Sequence, residues 1–369
     1  MTPFTMPTPR RTAATSLLLC AALAACRSGD ERSAADSASD SARAAAGAPA
    51  TGSGAPLAYV SNEDGNDITI IDTGTDSVLG TIFVGKRPRG IALSPDGRTL
   101  YVAVSGSPKA PPGVDESTLP PPDRAADGIA VIDVASRKLT KTLKSGQDPE
   151  AFALSKDGTA IYVSNEDAAT TTVVDVGSGR ITATIPVGGE PEGVTRSPDG
   201  NFVYVTAEED SEVAVIDTRT NKVAHTVKTG KRPRAVAFTP DGRKAYVSAE
   251  LGGTVEVIDA TTHKLLKSIK LKGTAPKPMG VAVAPSGDYA YVTTGRGGHL
   301  QVIDVAADTV VAFLEVGTRP WGLAVTPDGK KAYTANGPGN DVSVVDLETR
   351  KLLRRVPSPG LPWGVAIGD

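Results

Sequence analysis

Seven residues, each one place after a proline that recurs along the chain, carry the chemistry this sequence has to offer: Arg89, Glu150, Glu192, Arg234, Met279, Trp321 and Trp363. Two carboxylates and two guanidinium groups are the parts of an acid, a base and an anion clamp, because carboxylates placed near one another shift each other's pKa. Trp321 and Trp363 are the only two tryptophans and offer rigid apolar area to a ligand. Other chemistry is thinly represented. The three histidines, His225, His263 and His299, are dispersed, and no Cys-x-x-Cys-His occurs, which excludes covalent haem. Neither a metal site nor a cofactor is expected, and no catalytic residue is assigned.

What positions the seven residues is a repeat. The prolines before them, Pro88, Pro149, Pro191, Pro233, Pro278, Pro320 and Pro362, are spaced by 61, 42, 42, 45, 42 and 42 residues. An aspartate closing a Val/Ile-rich run recurs in step, at Asp72, Asp133, Asp175, Asp217, Asp259, Asp304 and Asp346. Each unit reads as four short strands. In one copy they are 234–238 (A), 245–248 (B), 255–258 (C) and 265–269 (D), with Pro240-Asp241-Gly242 turning A into B. Seven such units predict an all-β fold, a seven-bladed β-propeller of four-stranded antiparallel blades. The chain ends on a strand A at 363–367 and begins, at Leu57, on a strand B, so the last blade is built from both termini. Pro186 falls in a strand D, the outer edge, where a missing donor is tolerated.

Tyr59-Val60-Ser61-Asn62, Tyr162-Val163-Ser164-Asn165, Tyr204-Val205-Thr206-Ala207, Tyr246-Val247-Ser248-Ala249 and Tyr291-Val292-Thr293-Thr294 resemble the repeat of the YVTN family of bacterial and archaeal propellers. The resemblance covers residues 56–369 and implies the fold. It does not choose a function, since the wider group includes surface-layer proteins, lactonases and electron-transfer enzymes.

A residue present in every blade is explained by a need of every blade, so the seven aspartates read as hairpin-turn residues. The position after the proline varies, opens the innermost strand and should ring one mouth of the channel. Two irregularities join it on that face: glutamates at strand-B ends (Glu63, Glu166, Glu208 and Glu250), and a Pro-rich insertion at 105–127 that accounts for the 61-residue spacing. A binding mouth for an envelope protein or small ligand is one reading; a ring in which Trp321, Trp363 and Met279 plug the channel while arginines and glutamates neutralise each other is the other. A lactonase-like hydrolase or quinone-dependent enzyme would use the same mouth. The acidic pairs Glu63-Asp64 and Glu166-Asp167 lack the spacing of a calcium loop. The basic runs 86–89 and 231–234 are separated by acidic copies, and with a net charge of -3 no nucleic-acid partner is expected.

Residues 1–25 read as a signal peptide: Arg10 and Arg11 precede an apolar run too short to span a bilayer. The run ends in Leu23-Ala24-Ala25-Cys26, which resembles a bacterial lipobox and implies lipidation of Cys26; a plain secretory peptide is the alternative. Residues 26–56, rich in Ala, Ser, Gly and Asp, read as a disordered tether. The expectation is a monomeric ring, residues 57–369, held by lipid in the cell envelope on the periplasmic side of the outer membrane.

Overall fold

A computed structural model describes residues 52–109, 114 and 118–368. The expected signal peptide, Cys26 and nearly all of the tether lie outside the described residues, as do 110–113 and 115–117 of the insertion.

Val, Ile, Thr and Tyr alternate through short runs that end in Pro-Asp-Gly or Asp-x-Thr turns, and each run forms a strand. Among the described residues these make seven four-stranded antiparallel sheets. In the copy read above, the strands are Pro233–Phe238, Lys244–Ala249, Thr254–Asp259 and Lys264–Lys270, each one or two residues longer than the sequence reading. Strands B and C are buried on both faces and strand D is exposed, as Lys264–Lys270 shows. The last blade takes its inner strand from Pro362–Gly368, which pairs with Leu57–Asn62 from the other end of the chain. Pro186 lies at the end of Ile181–Pro186, an edge strand. No helix among the described residues is long and apolar enough to cross a membrane.

All seven repeated aspartates act in their turns. Each accepts a backbone N–H two or three residues on, from Gly74 and Thr75 to Asp72 through to Thr349 to Asp346. These hydrogen bonds hold Asp259 at a pKa of about 2, with Thr261 Oγ1 the main donor.

The Tyr-Val-Ser/Thr run stitches neighbouring blades. Ser164 Oγ donates to the Glu192 carbonyl of the next blade at 2.7 Å and accepts the Ala151 N–H of its own at 3.1 Å. Ser61 makes the same pair of bonds with Arg89 and Gly364, and Thr206 with Arg234 and Gly193. The tyrosine hydroxyls reach the next blade's outer turn, Tyr162 to Asn221 and Tyr246 to Asp308. The inner strands meet so closely that a Cβ on Gly193 would lie 2.2 Å from the Arg234 carbonyl oxygen.

Candidate functional site

The hydroxyls of strand B therefore hold the backbone of the residues that open strand A. All seven of these, Arg89, Glu150, Glu192, Arg234, Met279, Trp321 and Trp363, line one cavity of about 700 Å³ at the mouth of the ring. Below it, a narrower chamber of about 250 Å³ runs between the inner strands. A second ring stands above. The residue before each proline, Arg87, Asp148, Glu190, Arg232, Lys277, Arg319 and Leu361, has φ between 43° and 64° in all seven blades. None is glycine, so each accepts the cost of the left-handed region.

One half of the mouth is charged and internally satisfied. Arg89, almost wholly buried, donates to Glu150 and Asp148 and stands 3.7 Å from Glu166. Burial alone would raise the Asp148 carboxyl; Arg89, the Ser105 hydroxyl and Arg87 together hold it below its ordinary value. Oxygens of Asp148, Glu150 and Glu166 lie within 4.8 Å of one another, a spacing a cation could use, but the Arg89 guanidinium stands among them.

Three blades on from Arg89, Arg234 lies 2.6 Å from Glu192 and also donates to Glu208, whose other oxygen accepts from Arg232. Burial pushes the Glu192 carboxyl well above the usual range, and the neighbouring Glu208 charge adds to the effect against the pull of Arg234. The Glu192 hydrogen bond and the two arginines hold Glu208 below that range despite its burial.

The Pro-rich insertion leans over this half and is tied to the rim by ion pairs. Lys109 pairs with Asp64 at 2.7 Å, Arg124 with Asp167 at 2.5 Å and with Asp127 at 3.1 Å, and Arg87 donates to the Ser107 carbonyl at 2.6 Å. The acidic pairs Glu63-Asp64 and Glu166-Asp167 thus hold cations of this chain.

The other half is apolar. Met279, Trp321 and Trp363 come from consecutive blades and all three are half-buried, lining both the mouth and the chamber beneath. Strand B of the Trp321 blade ends in Gly337 where four other blades carry glutamate, and a Cβ there would meet the indole at 2.7 Å. The Arg319 guanidinium lies over the same indole, 5.3 Å from its centre.

The sequence reading placed the seven ring residues around one mouth and, in its plugged alternative, set the arginines against the glutamates; the structure lines one cavity with all seven and places Arg89 on Glu150 and Arg234 on Glu192. The sequence reading missed Asp148, Arg232 and Arg319 as mouth residues, though all share the place before the recurring proline. The three histidines lie outside the cavity: His225 stacks on His263 at 4.5 Å, and His299 on Phe313 at 4.3 Å.

The ring and its mouth define a closed seven-bladed β-propeller with a two-sided cavity at one end. The sequence matches the choice-of-anchor I domain family over residues 60–230 and the cytochrome D1 heme domain family over residues 192–278 and 252–364, each less than half of the chain. No curated protein matches the chain. Among solved structures it is similar to Kuenenia stuttgartiensis hydrazine synthase, at 23% identity and a TM-score of 0.67, covering 78% of this chain and 91% of that one. A putative 6-phosphogluconolactonase of Bacteroides fragilis superposes with a TM-score of 0.70 at 18% identity, covering 87% of this chain and 100% of that one. A functionally unknown protein from Desulfotomaculum acetoxidans gives a TM-score of 0.68 at 16% identity, over 84% and 98%. These likenesses show the fold.

Proposed function

We propose that this chain is a lipid-anchored envelope propeller of the YVTN type that binds a small ligand, or an inserted segment of a partner, in the apolar half of its mouth. The observation that carries the reading is the division of the cavity. Its charged half is closed by its own ion pairs, while Met279, Trp321 and Trp363 stay half-buried around open volume. A cavity of about 700 Å³ is of the size that takes a small molecule. The plug reading is disfavoured by that volume.

Two features argue against catalysis as the main role. Glu150 is tied to Arg89 and Glu192 to Arg234, so neither faces open space as a free acid and base pair. A lactonase-like hydrolase would rest on Glu192, whose raised pKa suits a proton donor but whose carboxyl is held by Arg234. The cytochrome D1 match raises haem as an occupant. Haem iron takes an axial His, Cys, Met or Tyr, with Met used beside His. Among the described residues, Met279 is the sole such side chain lining the mouth, and all three histidines lie elsewhere, so the donor set does not fit.

The envelope location draws support from the match to a choice-of-anchor domain and from the lipobox-like residues before Cys26. Labelling cells with an alkynyl fatty acid tests it: the wild-type chain takes up label and Cys26→Ala does not, whereas an unlabelled wild type removes the anchor from the reading.

Both tryptophans line the mouth, so emission excited selectively from tryptophan reports on it alone. Acrylamide should quench both indoles in the free protein, and a small-molecule extract of the envelope should protect them. Indoles shielded before any ligand is added would restore the plug.

A further inference from the structure

Each carboxylate that lines the mouth among the described residues lies within 3.7 Å of a Lys or Arg, and six of the seven lining cations have such a partner. Arg319 is the one without. Its side chain makes no hydrogen bond or ion pair among the described residues and lies over the Trp321 ring. The one lining cation without a carboxylate partner therefore stands beside the apolar wall.

Three features fix that charge in place. Arg319 has φ 52°, a conformation that costs a non-glycine residue energy and turns the chain just ahead of Pro320. Its guanidinium rests over the Trp321 ring, 5.3 Å from its centre, while the residue stays exposed at the rim. The indole in turn lies against Gly337, where any Cβ would displace it. A guanidinium held over an aromatic face keeps its fork of N–H donors free at its edge, the geometry that takes an oxyanion in the plane.

From this arrangement we propose that the mouth selects a ligand with a single anionic group on an apolar, ring-shaped body, the anion at Arg319 and the ring against Trp363 and Met279. The inference rests on the ligand-binding reading above and adds the ligand's chemical class. A dianion is disfavoured, since the other cations that line the mouth already have carboxylate partners. A neutral ring would leave the guanidinium unmatched.

Calorimetric titration with 2-naphthoate and with its neutral counterpart 2-naphthalenemethanol tests the inference on the wild-type chain and on Arg319→Gln and Arg319→Lys. Both variants must first melt like the wild type. The expected result is naphthoate binding tighter than the alcohol by on the order of tenfold at low salt, a preference that 1 M salt erodes. Arg319→Gln should abolish the preference while leaving the alcohol's affinity unchanged, and Arg319→Lys should restore part of it. Equal affinity for the two probes, or a preference that survives in Arg319→Gln, overturns the anion inference and leaves the apolar mouth standing. If neither probe binds, the ligand-binding reading falls with it.

Discussion

Trp321 owes its position to Gly337: the indole occupies space that a side chain on the end of strand B would fill, and a Cβ there would approach its six-membered ring to between 2.7 and 2.9 Å. Four blades carry glutamate at the equivalent place, so the glycine is where the repeat yields to the aromatic residue. Gly337→Ala should displace the indole with an overpacking cost of about 1–2 kcal/mol, since a side chain rather than backbone must move. Tryptophan emission should shift. Gly193→Ala, which drives a Cβ to 2.2 Å from the Arg234 carbonyl oxygen, should cost more and leave emission less affected. Thermal melts with emission spectra check both; unchanged emission in Gly337→Ala would show that the glycine does not set the ring.

Glu192 and Glu208 share Arg234 but should respond oppositely to pH. The raised Glu192 carboxyl favours the protonated form in the folded state, so its penalty is absent below the ordinary glutamate value and grows as pH rises toward the raised one. Glu192→Gln mimics the protonated form. It should melt like the wild type at pH 5 and at or above it at pH 8. Glu208→Gln leaves Arg232 and Arg234 without their shared carboxylate and should cost roughly 3 kcal/mol at pH 7, the scale of breaking a buried pair. If Glu192→Gln lost as much stability at pH 8 as Glu208→Gln, Glu192 would be an ionised partner of Arg234 instead.

Glu190 pays twice for its place. Its φ is 45°, and its carboxyl is raised by burial and by the charges of Glu208, Glu166 and Glu209. Glu190→Gly removes both burdens and should stabilise the ring by about 1 kcal/mol at neutral pH, net of the extra freedom glycine gives the unfolded chain. The gain should shrink as pH falls through the carboxyl's titration, because a protonated Glu190 no longer repels its neighbours. A denaturant series at pH 7 and pH 4 measures it, and a loss of stability at pH 7 would mean that the side chain holds the rim.

Repetition made the fold legible. Spacing alone placed the recurring prolines, the turn aspartates, the closing strand and the seven residues of the mouth, because each follows from a period along one chain. Interactions between blades left weaker traces. Asp148 reads as one of two acidic residues before a recurring proline until Arg89 is seen to reach it from the neighbouring blade. Arg319 looks like any other residue before a proline, and only the pairing of every other cation in the cavity distinguishes it. The hydroxyl of Tyr-Val-Ser/Thr reads as a family signature, whereas its task is to join two blades at the carbonyl of a mouth residue. Gly337 was within reach of sequence reasoning: comparing strand-B ends with the residues that open strand A pairs the glycines Gly295 and Gly337 with Met279 and Trp321.

The ring's closure makes its last residues indispensable. Leu57, Ala58, Tyr59 and Val60 pair with Gly368, Ile367, Ala366 and Val365, and the side chains of Val365 and Ile367 pack on a core that includes Ala58, Val60 and Tyr333. Ser61 completes the seam by accepting from Gly364 and donating to Arg89. Deleting 363–369 removes an inner strand, opens two blade interfaces and leaves Leu57–Asn62 as an unpaired edge. The truncated chain should show no cooperative melt and should aggregate. Gly364→Val, whose Cβ would stand 2.8 Å from the Arg89 carbonyl oxygen, strains the same seam without cutting it and should cost about 1–3 kcal/mol. A truncated protein that melts at the wild-type midpoint would refute a ring closed by its two ends.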